Sequence, residues 1–271
     1  MGDSTDRRDD SGGLFLPEDG YFVPTELARG PWSPDSLHGG PVAALVARAA
    51  EKEAGDDGLQ LVRITLDLLR PVPVSPLSVS STVVRPGRKV QLIDTVVEAD
   101  GVAVAWSRAL RIRVASAQHA VAPSTPEDES PIPPDQGVPR AMVHEGYRAF
   151  HNHGVEMRSV TGHSEQLGPA TVWFRLRCPV VSGEAPTPWQ RAAAVADFGN
   201  GVASELEFGS GLFINPDLTV SIHRPPAGEW VCLDARTRFG RPGIGTAESA
   251  LWDVEGRIGR AVQSLFVEVS P

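Results

Sequence analysis

Hydrophobic and polar residues alternate along several stretches of the chain, and Gly or Asp residues bound these stretches. Residues 90–99 are one example. An alternation with a period of two indicates β-strands that bury one face. Asp100-Gly101 and Glu255-Gly256 provide residues that tolerate the positive φ of a tight hairpin turn. The pattern therefore predicts antiparallel strands that are joined by hairpins.

Two other segments are rich in Ala and have almost no polar face. Residues 41–51 form the first, and residues 188–197 form the second, which is followed by Phe198-Gly199. A helix with so little polar surface has to be buried, and a glycine after the last turn can end it. We expect each helix to be wrapped by a curved antiparallel sheet, which makes the fold class α+β.

The two halves of the chain resemble each other in the order and spacing of their landmarks. An Arg-Pro pair begins at Arg70 and again at Arg224, 154 positions later. Gly101 and Gly256 follow, 155 positions apart. Two landmarks at a nearly constant offset indicate an internal duplication. The sequence thus predicts two tandem repeats, each with one central helix and one antiparallel sheet.

Composition divides the 271 residues further. Residues 116–139 are rich in Ala, Ser, Pro and acids, which is typical of a linker. We expect a disordered acidic tail over residues 1–13 and repeats over residues 14–115 and 140–271. Residues 1–20 and the linker each carry a charge of −4, so the rest of the chain contributes −1 to the net −9. This balance argues against a nucleic-acid partner and is compatible with an anionic ligand.

The same composition bounds the cellular compartment. No apolar run approaches the roughly 20 residues of a membrane span, and the polar, acidic N-terminus lacks the features of a secretory signal or transit peptide. Cys178 and Cys232 lack the spacing of metal ligands. We expect a cytoplasmic protein with buried free thiols, and a disulfide between the two cysteines is the alternative.

Four short motifs carry a resemblance to a known family. They are residues 37–44 (Leu-His-Gly-Gly-Pro-Val-Ala-Ala), 196–198 (Ala-Asp-Phe), 222–225 (Ile-His-Arg-Pro) and 262–264 (Val-Gln-Ser). In this order, within a duplicated chain, they resemble the double hot-dog acyl-CoA thioesterases, the type II or TesB-like family. The resemblance covers residues 14–270. It implies a double hot-dog fold and hydrolysis of acyl-CoA without a metal or an organic cofactor.

The resemblance also implies three polar residues around the thioester. The family's Asp at the end of the second helix maps to Asp197, and its Gln in the last strand maps to Gln263. Asn215 stands where the family has Thr, a departure because Asn can orient water by hydrogen bonding but has no hydroxyl group. Asp217 and Thr219 are nearby polar alternatives.

Thioester hydrolysis requires an activated water and donors for the developing oxyanion. We expect Asp197 to act as general base, provided that burial raises its pKa. Gln263 and Asn215 are expected to orient the water, and backbone N–H groups at the start of a buried helix are suited to the oxyanion. An offset of 155 places Arg108 opposite Gln263, which predicts that one of the two repeats kept the chemistry.

His38, Gly39, Gly40 and Thr219 are expected to bind substrate. In single-domain hot-dog dehydratases a His at a helix start is catalytic and pairs with an acid, but the first half offers no such acid. We therefore expect His38 to line the pocket or to be structural. The two glycines would let the backbone approach a ligand or a neighbouring strand.

Other candidates and functions stay open. His151 and His153 alternate along a predicted strand, which without a third ligand is weak support for a metal site, and we expect none. Two basic turns, residues 85–89 and 236–241, are either contacts for the phosphates of coenzyme A or simply exposed. The alternatives to a thioesterase are a non-catalytic acyl-CoA- or lipid-binding protein and an enoyl-CoA hydratase or dehydratase. Hot-dog units associate through sheet edges or faces, so a homo-oligomer is expected.

Overall fold

A computed structural model describes residues 12–53, 58–114, 130–142 and 146–269. Within these ranges the chain forms three α-helices and one sheet of fourteen strands. The helices are α1 (Gly39–Glu53), α2 (Pro188–Ala196) and α3 (Gly199–Ala203). The strands are β1 (Phe15–Glu18), β2 (Tyr21–Pro24), β3 (Leu59–Leu68), β4 (Leu77–Arg85), β5 (Val90–Ala99), β6 (Val102–Arg113), β7 (Val138–Arg140), β8 (Val155–His163), β9 (Gln166–Leu176), β10 (Gly211–Ile214), β11 (Asp217–Ile222), β12 (Trp230–Phe239), β13 (Ile244–Asp253) and β14 (Gly256–Val269).

The strands lie along the sheet in the order β1-β2-β4-β5-β6-β3-β11-β14-β13-β12-β9-β8-β7, and β10 pairs with the end of β14. All of these ladders are antiparallel. Strands β1 to β6 fill one half of the sheet and β7 to β14 fill the other. The predicted α+β class and antiparallel sheet are therefore confirmed.

The two halves of the sheet meet where β3 pairs with β11. In this ladder Thr65 lies opposite Thr219, and their hydroxyl oxygens are 3.3 Å apart. The two threonines are 154 positions apart in the sequence, which is the offset between the two Arg-Pro pairs. Because each threonine faces the residue that occupies its own place in the other repeat, an approximate two-fold axis passes between them.

The register shifts in the strand ladders recur at the same 154-residue offset. They correct the expected equivalence of Arg108 and Gln263. The β5–β6 ladder shifts register after Val97, and the β13–β14 ladder shifts after Leu251, 154 positions later. The same offset aligns Gln263 with Ala109 and not with Arg108, so the sequence alignment of these strands was wrong by one residue. Ala109 and Gln263 are both buried, as equivalent positions on one face should be.

The turns explain that one-residue error. The first predicted hairpin turn is confirmed, since Asp100 and Gly101 both have positive φ, 50° and 73°. In the second hairpin Val254 and Glu255 form the turn, and Gly256 is already the first residue of β14. The two glycines therefore occupy different places in their hairpins and are not equivalent.

Helices α1 and α2 pack side by side and antiparallel in the core, each slightly different in length from its prediction. At Gly40, near the start of α1, a Cβ atom would collide with the carbonyl oxygen of Ala194 near the end of α2. Trp189 of α2 donates its indole N–H to the carbonyl oxygen of Leu61 in β3, at 2.7 Å. The helix of the second repeat is thus held against a strand of the first.

The structure also bears on the expected linker, on the two histidines after Phe150 and on the two cysteines. The predicted tail and linker fall mostly outside the described residues, and β7 begins inside the predicted linker. His151 and His153 lie in a π-helical turn, not on a strand, with His151 buried and His153 exposed. Cys178 and Cys232 are buried free thiols, as expected.

Candidate active site

A cavity of about 560 Å³ opens beside the start of α1, the end of α2 and the segment that leads into β11. Its polar side chains include His38, Asp197 and Asn215. A mostly apolar cavity with a few convergent polar groups is the usual form of a small-molecule site. The apolar and aromatic side chains of its wall include Trp32, Leu37, Leu68, Leu69, Val72, Met142, Phe198, Leu206, Phe208, Leu212, Phe213 and Ile214.

One polar contact in the site joins the two repeats. Oδ2 of Asp197, directly after α2, lies 2.9 Å from Nδ1 of His38, directly before α1, and both side chains are buried. His38 thus has an acidic partner, although the first half of the chain, where the sequence analysis looked for one, does not supply it. The partner comes from the second repeat, because the antiparallel packing brings the end of α2 to the start of α1.

The proton of His38 can be assigned from its neighbours. The Gly40 N–H also lies 3.0 Å from Nδ1 of His38, but one ring nitrogen cannot both accept this bond and donate to Asp197. An unprotonated Nδ1 would set two lone pairs 2.9 Å apart, so we assign the proton to Nδ1 and direct it at Asp197. The other ring nitrogen, Nε2, is then an acceptor.

Aromatic rings and a glycine fix the position of this pair. The ring of His38 packs against Phe150 and Phe198, with centroid separations of 5.2 and 4.8 Å. At Gly39 a Cβ atom would lie 2.7 Å from Oδ2 of Asp197, so any larger residue would displace the carboxylate. Gly39 lines the cavity, whereas Gly40 serves the close approach of α1 to α2 and not of a strand.

Gln263 directs its amide group at neighbouring protein groups and is absent from the described cavity wall. Its amide nitrogen donates to both the backbone oxygen and Oδ1 of Asp197, each at 3.1 Å. Its amide oxygen accepts the N–H of Asn200 at 3.2 Å. Gln263 is buried, so these bonds hold the Asp197 carboxylate and the start of α3 in place. The side chain is a positioning group for Asp197.

Asn215 completes the surroundings of Asp197. Its amide nitrogen donates to Oδ1 of Asp197 at 2.8 Å and to the backbone oxygen of Asp217 at 3.2 Å. Both amide hydrogens are therefore used. The side chain lines the cavity, where its amide oxygen is the group that can accept a bond from a water or a substrate.

The charge of Asp197 follows from these contacts. Burial by itself raises the pKa of Asp197, but hydrogen bonds and charge from His38, together with bonds from Asn215 and the Gly40 N–H, outweigh it and hold the pKa below its ordinary value. The condition set for Asp197 as general base, a net raised pKa, is therefore not met. With donors at both oxygens, Asp197 is a stabilised anion and a weak base.

The structure does not bring every predicted residue to the cavity. Thr219 faces Thr65 across the β3–β11 ladder, on the face of β11 opposite to the buried Leu218 and Val220. It therefore lies outside the cavity wall that the structure describes. Asp217, the other polar alternative, accepts the N–H of Ser264 at 2.6 Å and is likewise not part of that wall.

Sequence reasoning missed two cavity residues. Asn200 binds Gln263 through its N–H and accepts a 3.3 Å bond from Thr237 through its side chain. Its place directly after Asp197-Phe198-Gly199 was the available signal. His151 is buried in the cavity wall, and no pattern in the sequence indicates this, because its π-helical turn has no period of its own.

Two features are absent from the described residues. Among them no group of three or more His, Cys, Asp or Glu side chains is placed to hold a metal ion. None of the helices in these ranges is both long and apolar enough to cross a membrane.

Comparison with solved structures shows the hot-dog fold. A conserved protein from Alicyclobacillus acidocaldarius, described as having a hot-dog fold, superposes with a TM-score of 0.73 at 18% identity, over 96% of this chain and 98% of that one. The tesB protein of Mycobacterium avium subsp. paratuberculosis gives 0.65 at 17% identity, over 94% of each chain. Acyl-CoA thioesterase II of Mycobacterium marinum gives 0.64 at 14% identity, over 87% of this chain and 92% of that one.

Family models identify the chain more directly. No curated protein matches it. The model of the acyl-CoA thioesterase N-terminal domain matches residues 28–117, and the model of the C-terminal domain matches residues 123–267. The resemblance found in the sequence is therefore confirmed, and the chain belongs to the acyl-CoA thioesterase family.

Proposed function

We propose that this protein hydrolyses the thioester of fatty acyl-CoA to the free acid and CoA by means of an activated water. The observation that carries the proposal is the buried His38–Asp197 pair at the wall of an apolar cavity. An imidazole held by a carboxylate is suited to take a proton from water, and the apolar wall is suited to an acyl chain.

The contacts favour His38 as the general base, whereas the sequence analysis gave this role to Asp197. Asp197 accepts hydrogen bonds on both oxygens and has a lowered pKa, which makes it a poor base. It orients His38 through Nδ1, so that Nε2 presents its lone pair as the general base. This is the logic by which a carboxylate fixes the tautomer of a catalytic imidazole.

The remaining groups then serve the transition state. Gln263 and one amide hydrogen of Asn215 hold Asp197, while the Asn215 amide oxygen can accept a bond from the attacking water. Gly39 is the first residue of α1 and lines the cavity. Its N–H, at the positive end of the helix dipole, is the donor that we assign to the developing oxyanion.

The architecture belongs to the same proposal. We propose a double hot-dog with repeats over residues 14–115 and 140–271, supported by the two-fold relation at Thr65 and Thr219. The enzyme would need no metal or organic cofactor, because His38, Asp197 and water suffice for the step. A homo-oligomer and a cytoplasmic location remain predictions.

The test combines a substrate panel with a pH profile. Thiol release from acyl-CoA of increasing chain length is measured for the wild type and for His38→Gln. With His38 as base, the variant loses about 10²–10⁴-fold in kcat/KM and no longer shows the acid limb of the wild-type profile. A His38→Gln enzyme that keeps both its rate and the acid limb of the wild-type profile would assign the base to Asp197.

One observation favours a second function. A His–Asp pair beside a helix start can also add water to the double bond of an enoyl-CoA, by protonating one carbon while water attacks the other. Hydration of enoyl-CoA without thiol release would support this reading. Tight binding of a non-hydrolysable acyl-CoA analogue in calorimetry, with no turnover of either substrate, would support a binding protein.

A further inference from the structure

Arg70 is the one Arg or Lys side chain in the described wall of the cavity that contains His38 and Asp197. It lies two residues after the end of β3 and is exposed. Among the described residues its guanidinium has no ion pair or hydrogen-bond partner. An arginine in a mostly apolar cavity without a protein anion to neutralise it is suited to bind an anion of the ligand.

The equivalent arginine of the other repeat has a different environment. Arg224 lies 154 positions after Arg70, at the offset that relates all the strands near the axis. Its guanidinium makes a two-bond ion pair with Asp253, whose side chain is fully buried, with one N–O distance of 2.7 Å. Asp253 also accepts the N–H of Ala227 at 2.6 Å, so this arginine is fixed and neutralised.

The sequence accounts for the difference at one position. Asp253 ends β13, and the residue at the same place in β5 is Ala99. The first repeat therefore has the arginine without its carboxylate. Of the two equivalent arginines, Arg70 is the one that lines the cavity, and it is also the one without an acidic partner.

We propose that Arg70 binds a phosphate group of coenzyme A and so sets the end of the cavity at which the CoA portion enters. The proposal rests on the proposed function for the identity of the ligand. CoA carries several phosphate oxyanions, and a guanidinium donates two parallel bonds to such a group. The apolar remainder of the wall is then left for the acyl chain and the pantetheine arm.

This assignment differs from the basic turn at residues 85–89. Arg88 lies in the turn before β5, and Val90 pairs with Ile112 near the end of β3 that contains Leu59. Arg70 follows the opposite end of β3, about 30 Å away at roughly 3.3 Å per residue. Arg88→Ala is therefore a matched control, since it removes an equally exposed arginine from outside the cavity.

The test compares two thioesters of the same acyl chain, one on CoA and one on pantetheine, which has no phosphate. We expect Arg70→Ala to raise KM for acyl-CoA about tenfold, with kcat unchanged, and to leave KM for acyl-pantetheine unchanged. Arg88→Ala should alter neither value. Melting temperatures should match the wild type, because Arg70 makes no polar contact within the described structure.

Three results would overturn the proposal. In the first, Arg70→Ala raises KM for both thioesters alike. In the second, Arg88→Ala and not Arg70→Ala raises KM for acyl-CoA alone. In the third, Arg70→Ala raises KM only for a pantetheine thioester whose acyl chain ends in a carboxylate. Calorimetry with CoA alone separates this proposal from the thioesterase activity. A weaker affinity of Arg70→Ala for CoA supports the subsite even if no thioester is hydrolysed, and an equal affinity contradicts it.

Discussion

Asp197 and Glu51 are two acidic side chains at matching places of the helix pair. Asp197 directly follows α2 and lies beside the start of α1. Glu51 lies in the last turn of α1 and beside the start of α2, where its Oε2 accepts bonds from Thr187 at 2.8 Å and from Gln190 at 3.3 Å. The antiparallel packing of two related helices produces both arrangements.

The two carboxylates nevertheless titrate in opposite directions. Burial raises the pKa of Glu51, and its bonds from Thr187 and Gln190 do not offset this. Asp197 is the more completely buried of the two, yet its pKa is lowered, because an imidazole and further N–H donors stabilise its charge. The donors around a carboxylate, and not the depth of its burial, decide whether it is kept as an anion.

The two places also differ in what they adjoin. Asp197 lines the cavity of the candidate active site, whereas Glu51 is absent from that wall. Its neighbourhood holds an ion-pair cluster instead, in which Glu184 binds Arg48 at 2.6 Å and Lys52 at 2.8 Å. One end of the helix pair therefore adjoins the cavity, and the other adjoins a cluster of ion pairs.

The largest expected effect comes from neutralising each acid in turn. Asp197→Asn keeps the size of the side chain but no longer holds His38 in one tautomer, so kcat/KM for acyl-CoA should fall on the order of 10²–10⁴-fold. Glu51→Gln should stay within about twofold of the wild type. Steady-state thiol release measures both. Similar losses in the two variants would mean that the helix ends share one structural role.

Two buried glutamines give a finer comparison. Gln263 donates to Asp197, and Gln190 donates to Glu51. Gln263→Leu leaves the Asn200 N–H unpaired and should cost about 1–3 kcal/mol in the free energy of unfolding. Because Asp197 also loses a donor, we expect kcat to fall at least about tenfold with KM little changed.

Gln190→Leu is the matched control for that variant. It removes one longer bond, so we expect a loss of about 0.5–1.5 kcal/mol in urea denaturation and an unchanged kcat. If both variants lose stability equally and neither loses kcat, then Gln263 is structural and does not position Asp197.

Much of the fold could be predicted because its signals are local. Period-two alternation and Ala-rich helices identify strands and helices directly, and the motifs around Asp197, Asn215 and Gln263 were sufficient to expect these residues together. The His38–Asp197 pair could not be predicted, because it depends on how two distant helices pack. The direction of the Asp197 pKa depends on donors from several elements, which no local pattern encodes.

The smallest expected effect concerns stability and pH. Glu51 has a folded-state pKa above its unfolded value of about 4.3. Between these values the folded chain binds more protons, so stability falls as the pH rises through the window. Glu51→Gln removes this cost, and its stability relative to the wild type, measured by urea denaturation, should therefore increase from pH 4 to pH 8.

Asp197→Asn provides the opposite case in the same urea measurements. The folded-state pKa of Asp197 is lowered, so its charge contributes stability above the unfolded value of about 3.9, and this is lost only as the pH falls through the lower folded value. The difference between the wild type and Asp197→Asn should hence stay constant from pH 5 to pH 8 and shrink below about pH 4. If instead the two variants show the same pH trend, burial alone governs both carboxylates, and the donors around Asp197 do not set its charge.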